Sequence, residues 1–138
     1  MSETLIHTCL VGVIVNWVKA NYSATRGLCL FCDCPPVLET EKPLPIEGFF
    51  PDVYAVTTPP ALTIIGEAKT TTDLESPRSY NQFLAFLRFL AARPQPIFVV
   101  ATPWFAGATV RHILSLAKCE AGAKGVRMQF LSDRTAPC

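Results

Sequence analysis

The sequence predicts a mixed α/β domain spanning residues 1–138, in which helices flank a central sheet. Its length of 138 residues suits one domain. Half of the residues are apolar and 17% are charged, which predicts a well-filled core and excludes an intrinsically disordered chain. Helix-type and strand-type segments follow one another in the order helix, three strands, helix, strand, helix, strand, which is typical of a sheet covered by helices.

The first half of the chain predicts one helix and three strands. Residues 3–22 are apolar on most faces of a helix, which is typical of a helix buried in a core or an interface. A short β-type run follows at 28–32. The segment 35–48 is rich in proline and predicts an irregular loop. Two strands are then expected over 49–57 and 62–70.

The second half predicts a loop over 71–75 and then a helix. Ser76 suits the N-cap and Pro77 the first helical position, and the helix must stop before Pro94. The wholly apolar run 97–101 predicts a buried strand inside the sheet. The remaining elements are a helix over 108–121 and a strand over 126–131.

The hairpin between the second and third strands brings three ionisable residues together. A turn centred on Pro59 and Pro60 places Asp52 directly opposite Glu67, because the two residues are equally far from it. Opposed residues share a face, with Cβ atoms about 5 Å apart. Lys69 lies two residues beyond Glu67 and therefore shares that face. Two prolines cannot form a tight hairpin turn, so we expect a symmetric loop of four or six residues.

Two opposed carboxylates repel each other unless a cation lies between them. Hard oxygen ligands suit Mg²⁺, which binds through one or two carboxylates, water and substrate phosphate. A metal so held would activate a bound water, and Lys69 would orient the water or stabilise the charge that develops on phosphorus. The alternative is a salt bridge in which Lys69 merely neutralises Asp52 and Glu67.

The run Pro51-Asp52, followed by Glu67-Ala68-Lys69, resembles the signature of the PD-(D/E)XK nuclease superfamily. The resemblance implies that Asp52, Glu67 and the backbone carbonyl of Ala68 are metal ligands. It also implies that Lys69 is the catalytic lysine.

The resemblance spans residues 3–101 and implies the restriction-endonuclease-like α-βββ-α-β core, with a mixed central sheet. The last helix and strand would be a C-terminal extension of this core. The activity implied is that of a Mg²⁺-dependent nuclease that hydrolyses phosphodiester bonds, with DNA as the expected substrate and Mn²⁺ able to replace Mg²⁺.

Two further candidate site residues rest on the resemblance. RecB-type members of the superfamily carry a Q-x-x-x-Y spacing on the helix after the motif, and here Gln82 is followed by Phe86. Gln82 would hold Lys69 or a DNA phosphate, or else bond a backbone group beside the core. Many members place an acid of the first helix at the metal, which Glu3 matches, with His7 one turn further along. Glu3 would equally suit a helix N-terminus for its charge alone.

Charge is distributed unevenly although the formal net charge is only +1. Residues 1–67 hold three Lys or Arg against seven Asp or Glu, and residues 68–138 hold nine against four. The candidate phosphate contacts are Arg78, Arg88, Arg93 and Arg111, each of which could equally be an ordinary surface charge. We expect Asp73 and Glu75 to cap a helix or to face solvent.

Three cysteines, Cys29, Cys32 and Cys34, have the spacing C-x-x-C-x-C. A structural zinc site needs four ligands, usually as two spaced pairs. The cysteine pattern of RecB-type iron–sulfur nucleases is not matched either. We therefore expect reduced, metal-free thiols that pack as small apolar side chains.

The apolar stretch 5–18 is too short and too interrupted for a membrane span and lacks the features of a signal peptide, so we expect a cytoplasmic protein without a membrane partner. The apolar first helix favours a homodimer or a subunit of a larger complex. Two alternatives to a nuclease stay open: a catalytically silent nuclease-fold module that binds nucleic acid or assembles a complex, and a structural protein that uses its apolar surface.

Overall fold

The computed structural model describes residues 3–25, 27–33, 42–58 and 60–133. In this part of the chain one sheet is flanked by helices. The helices are α1 (Glu3–Tyr22), α2 (Thr71–Leu74), α3 (Pro77–Ala91) and α4 (Gly107–Glu120), with a 3₁₀ turn at Trp104–Ala106. The strands are β1 (Cys29–Cys32), β2 (Val53–Thr57), β3 (Leu62–Ala68), β4 (Pro96–Pro103) and β5 (Arg127–Asp133).

The five strands lie side by side in chain order. The first three form an antiparallel meander, and β4 and β5 run parallel to β3. The parallel pairs are joined by crossovers through α3 and α4, as parallel strands require. The mixed α/β class is therefore confirmed, as is the interior position of the apolar strand at 97–101.

Helices cover both faces of the sheet. One face packs against α1 through residues such as Ile14 and Val18, and the other packs against α3 and α4 through residues such as Phe83 and Leu114. All seven residues of β3 are buried, because this strand lies beneath helices on both faces. Among the described residues, no helix has the length and apolar character needed to cross a membrane.

The expected hairpin register is confirmed. Val53 pairs with Gly66 and Thr57 with Leu62, so a four-residue loop joins β2 to β3. The hydroxyl of Thr57 donates a hydrogen bond to the carbonyl of Pro60 at 2.7 Å and so ties the strand to this loop. The same register, continued by one residue, brings Asp52 opposite Glu67.

Two expectations about local structure are wrong. The segment 71–75 is not a loop, because residues Thr71–Leu74 form a turn of helix whose Leu74 is buried in the core. The second strand begins at Val53 rather than at 49. A turn at Ile46–Phe49, with Glu47 and Gly48 at positive φ, precedes it, and the Asp52 amide bonds a side chain instead of a neighbouring strand.

Candidate active site

The candidate site lies at one edge of the sheet, which we call the carboxyl edge because β3, β4 and β5 all end there. The antiparallel strand β2 begins at the same edge, immediately after Asp52. Lys69 follows the last residue of β3, and its backbone N–H donates to the carbonyl of Ala101 on β4 at 3.0 Å. Strand register therefore brings residues far apart in sequence to one place.

Asp52 and Glu67 each accept a hydrogen bond from the other's strand. The Asp52 N–H donates to Glu67 Oε1 at 3.0 Å, and the Ala68 N–H donates to Asp52 Oδ2 at 2.9 Å. These amides lie where the β2–β3 pairing ends, so the two carboxylates satisfy backbone donors there. The two side chains are consequently fixed against each other.

Lys69 contacts both Glu67 and a residue of α3 at this site. Its Nζ lies 3.2 Å from Glu67 Oε2 and donates a hydrogen bond to Gln82 Oε1. The ammonium also lies 5.8 Å from the centre of the Phe83 ring. Because the Lys69 side chain is only 8% exposed, these contacts largely replace its hydration. Gln82 and Phe83 are adjacent on α3, so this helix determines where the ammonium group lies.

His7 brings the first helix to the site. Its Nε2 lies 3.2 Å from Asp52 Oδ2, and the ring is about one third exposed. The hydrogen bond to Asp52 raises the pKa of His7 above its ordinary value, against the opposing effect of partial burial. We call His7, Asp52, Glu67, Lys69 and Gln82 the site cluster.

Glu67 is the most strongly perturbed acid of the cluster. Burial raises the pKa of Glu67 well above its ordinary value, and the charge of Asp52 raises it further, while the charge of Lys69 opposes both. Such a perturbation, together with a specific charged neighbour, is more frequent at functional sites than elsewhere.

The carboxylate oxygens of Asp52 and Glu67 are suitable ligands for a hard divalent cation. Among the described residues, His, Cys, Asp and Glu side chains do not form a group of three arranged to hold a metal ion. A metal site here would therefore use the two carboxylates with backbone carbonyl, water or phosphate oxygens. That is the usual ligand set of Mg²⁺ in phosphoryl-transfer sites, and a cation would also relieve the repulsion that raises the Glu67 pKa.

The other residues singled out in the sequence lie elsewhere or are not described. Glu3 begins α1, but its side chain lies outside the described residues. Asp73 is exposed and accepts a hydrogen bond from the Thr70 hydroxyl at 3.3 Å. The thiols of Cys9, Cys29 and Cys119 are free and Cys32 is buried, whereas Cys34 and Cys138 lie outside the described ranges.

The four arginines considered as phosphate contacts lie along α3, at its C-terminal end and on α4. Arg88 forms an ion pair with Glu47 at 2.9 Å. The others lie over aromatic rings, Arg78 over Phe49, Arg93 over Phe89 and Arg111 over Phe130. A ring contact leaves the positive charge of a guanidinium uncompensated.

A cavity of about 480 Å³ lies beside the C-terminal half of α3 and shares no lining residue with the site cluster. Phe31, Tyr54, Phe89 and Arg93 are among its lining residues. The cluster itself lies at the carboxyl edge of the sheet.

The contact of His7 with Asp52 could not be predicted from the sequence. The available signal was its position one turn after Glu3, but the bond to Asp52 depends on how α1 crosses the sheet.

No family model, curated protein or solved structure matches this chain.

Proposed function

We propose that this protein is a divalent-metal-dependent nuclease with a restriction-endonuclease-like fold, and that it hydrolyses phosphodiester bonds in DNA with Mg²⁺ or Mn²⁺. The observation that carries the proposal is the pair of opposed carboxylates, Asp52 and Glu67, with the ammonium of Lys69 3.2 Å from Glu67. The helix–three strands–helix–strand order supports the finer assignment of the fold.

A purely structural ion pair explains this arrangement less well. Lys69 lies beside Glu67 and His7 lies beside Asp52, yet the pKa of Glu67 stays well above its ordinary value, so these neighbours do not offset its burial and the charge of Asp52. Burying carboxylates costs free energy unless each is compensated. A buried carboxyl with a raised pKa beside specific charged partners is more frequent at functional sites than elsewhere.

Asp52 and Glu67, with the carbonyl of Ala68, are the groups that would hold the cation. When bound, a divalent cation lowers the pKa of a coordinated water and offsets negative charge on a phosphoryl oxygen. His7 holds the Asp52 carboxylate in place through its 3.2 Å contact. Gln82 positions Lys69 by accepting a hydrogen bond from Nζ.

Lys69 is the group that we assign to the reacting atoms. Hydrolysis forms a bond between a water oxygen and phosphorus and breaks the bond from phosphorus to a sugar oxygen. The departing sugar oxygen ends with one of the two protons of that water, and the other stays on the new phosphate. An ammonium held at this place orients the water and stabilises the extra negative charge at phosphorus.

Plasmid, linear duplex, single-stranded and four-way-junction DNA should be incubated with the purified chain in Mg²⁺ or Mn²⁺, with EDTA as the control. We expect metal-dependent cleavage of at least one substrate, and its loss in Asp52→Ala. Glu75→Gln is a matched control, because Glu75 is an exposed acid outside the cluster. Binding of DNA without cleavage in either metal would favour the catalytically silent module instead.

A further inference from the structure

Two large aromatic side chains are exposed at the carboxyl edge. Trp104 is 60% and Phe105 is 62% exposed, and their ring centres lie 5.7 Å apart with perpendicular planes. They occupy the 3₁₀ turn between β4 and α4, whose third residue, Ala106, is buried in the core. The aromatic pair is therefore displayed on an anchored turn.

This aromatic pair lies close to the site cluster. Ala68 pairs with Ala101, whose carbonyl accepts the hydrogen bond from the Lys69 N–H. Trp104 follows Ala101 by three residues, which corresponds to roughly 10 Å at about 3.3 Å per residue. The aromatic pair and the candidate catalytic lysine therefore occupy the same edge of the sheet.

A cation lies on the same side of the molecule. Glu67 pairs with Val100, and Val100 pairs with Phe130, so these three residues form one row across the sheet. The guanidinium of Arg111, on the second turn of α4, lies 4.6 Å from the centre of the Phe130 ring. Phe130 is two strands from Glu67, which corresponds to roughly 10 Å. Arg111 is exposed and can reach a phosphate beside the one at the site.

We propose that Trp104 and Phe105 bind an unstacked nucleobase next to the scissile phosphate, while Arg111 contacts a neighbouring phosphate. This inference rests on the proposed nuclease function and narrows its substrate class to nucleic acids with unpaired nucleotides. Aromatic side chains stack on the exposed faces of single-stranded bases, whereas bases in a regular duplex are already covered by their neighbours. Solvent-exposed rings beside a polar site are what such stacking requires.

Binding to single strands tests the inference directly. The full chain should carry Lys69→Ala, which leaves the proposed metal ligands intact and keeps the oligonucleotide uncut, and affinity should be measured in Mg²⁺ by fluorescence anisotropy. We expect Trp104→Ala and Phe105→Ala each to weaken binding of a single-stranded oligonucleotide by roughly 5- to 100-fold. Binding of a blunt duplex of the same sequence should change much less. Leu116→Ala, at an exposed apolar residue of α4, should change neither affinity.

A second measurement reports on the ring itself. In Trp17→Phe, the only tryptophan left is Trp104, because the chain has two. Its fluorescence should be quenched when a single-stranded oligonucleotide is added and not when inorganic phosphate is added.

The inference fails if the alanine variants bind single strands as tightly as their parent, or if the parent binds none. It also fails if they change only the oligomeric mass, which would make the pair a contact between protein chains. If the wild type cleaves DNA but the alanine variants bind single strands unchanged, the proposed role of the aromatic pair is wrong and the nuclease proposal stands. Weaker single-strand binding by the alanine variants, when the wild type cleaves no DNA, would keep the base-binding role of the aromatic pair and remove the nuclease.

Discussion

Glu67 is the most deeply buried residue of the site cluster and has two charged neighbours, Asp52 and Lys69. Burial and the charge of Asp52 both raise the pKa of Glu67, so the folded, metal-free protein holds a proton on this carboxyl more tightly than the unfolded chain does. A raised carboxyl pKa stabilises the fold in acid, and that stabilisation is lost as the pH rises from the ordinary value, 4.5, through the raised value.

The free energy of unfolding of Glu67→Gln should therefore depend less on pH than that of the wild type. In EDTA, the free energy of unfolding of the wild type should fall relative to this variant as the pH rises above about 4.5. The free energy of unfolding of the variant should change less over the same pH range, because an amide does not titrate. Urea unfolding over a pH series measures the difference. A difference in stability between the two proteins that stays constant as the pH rises above about 4.5 would contradict the raised pKa of Glu67.

In the proposed mechanism, Gln82 acts through Lys69 rather than on the substrate. Because its Oε1 accepts the Nζ hydrogen bond, Gln82→Ala should lower turnover by freeing the ammonium, while metal affinity stays the same. The free energy of unfolding should change by about 1 kcal/mol or less, since the side chain lies only partly in the core. Single-turnover cleavage and thermal unfolding measure the two effects. Reduced stability with unchanged turnover per folded molecule would contradict this role.

Residue identities predicted much of the site but not all of its contacts. The position of Asp52 opposite Glu67 follows from strand register, and the sharing of a face with Lys69 follows from the period of two along a strand. The contact of His7 with Asp52 depends on the tertiary placement of α1, which no local pattern specifies. The arginines show the same limit, since their aromatic partners come from distant segments.

Among the elements, α1 packs directly against β3 at Gly66. A Cβ atom added at Gly66 would lie 2.6 Å from Ile14 Cγ2 and 3.1 Å from Val53 Cβ. Ile14 is fully buried, and Cγ2 lies close to the helix backbone, so the helix itself would have to move. Gly66 thus sets the depth at which α1 packs, and α1 carries His7 to the site.

Gly66→Ala should destabilise the fold by about 1–3 kcal/mol, the usual cost of overpacking. Gly12→Ala is the matched control, because a Cβ atom there meets nothing within 4 Å and alanine favours a helix interior. The control should leave stability unchanged or raise it by about 1 kcal/mol or less. Urea unfolding compares the two variants. Equal stability of both would show that α1 adapts without cost.

Strong local signals made most elements predictable. The helix at Pro77–Ala91 begins where expected because the Ser76 hydroxyl oxygen accepts the Ser79 N–H at 3.1 Å. The short helix at Thr71–Leu74 was not predictable, since its four residues include three of low helix propensity and it is secured by burial of Leu74.

Over the whole chain, acidic residues are in excess in the first half and basic residues in the second. The segment 68–138 carries nine Lys or Arg against four Asp or Glu, and its described part includes α2, α3, β4, α4 and β5. Such a distribution supports phosphate contacts without a large net charge.

The affinity of the protein for DNA should therefore fall as salt is raised. Each phosphate contact contributes about 0.7 to 0.9 to the logarithmic slope, so Arg111→Ala should reduce the slope by roughly one. Lys124→Ala, an exposed cation before β5 and at the opposite edge of the sheet, should leave it unchanged. Titrations at several salt concentrations measure the slopes. A slope that is the same in wild type and Arg111→Ala would exclude Arg111 as a phosphate contact.

The proposed mechanism places Lys69 at the reacting atoms, beside a metal held by Asp52 and Glu67. The most direct measurement compares wild type and Lys69→Ala for Mg²⁺-dependent DNA cleavage and, by calorimetry, for metal binding. Lys124→Ala serves as the control for loss of a lysine. We predict that cleavage is lost in Lys69→Ala while metal binding survives. Cleavage at the wild-type rate by Lys69→Ala, in preparations free of contaminating nuclease, would contradict this role of Lys69.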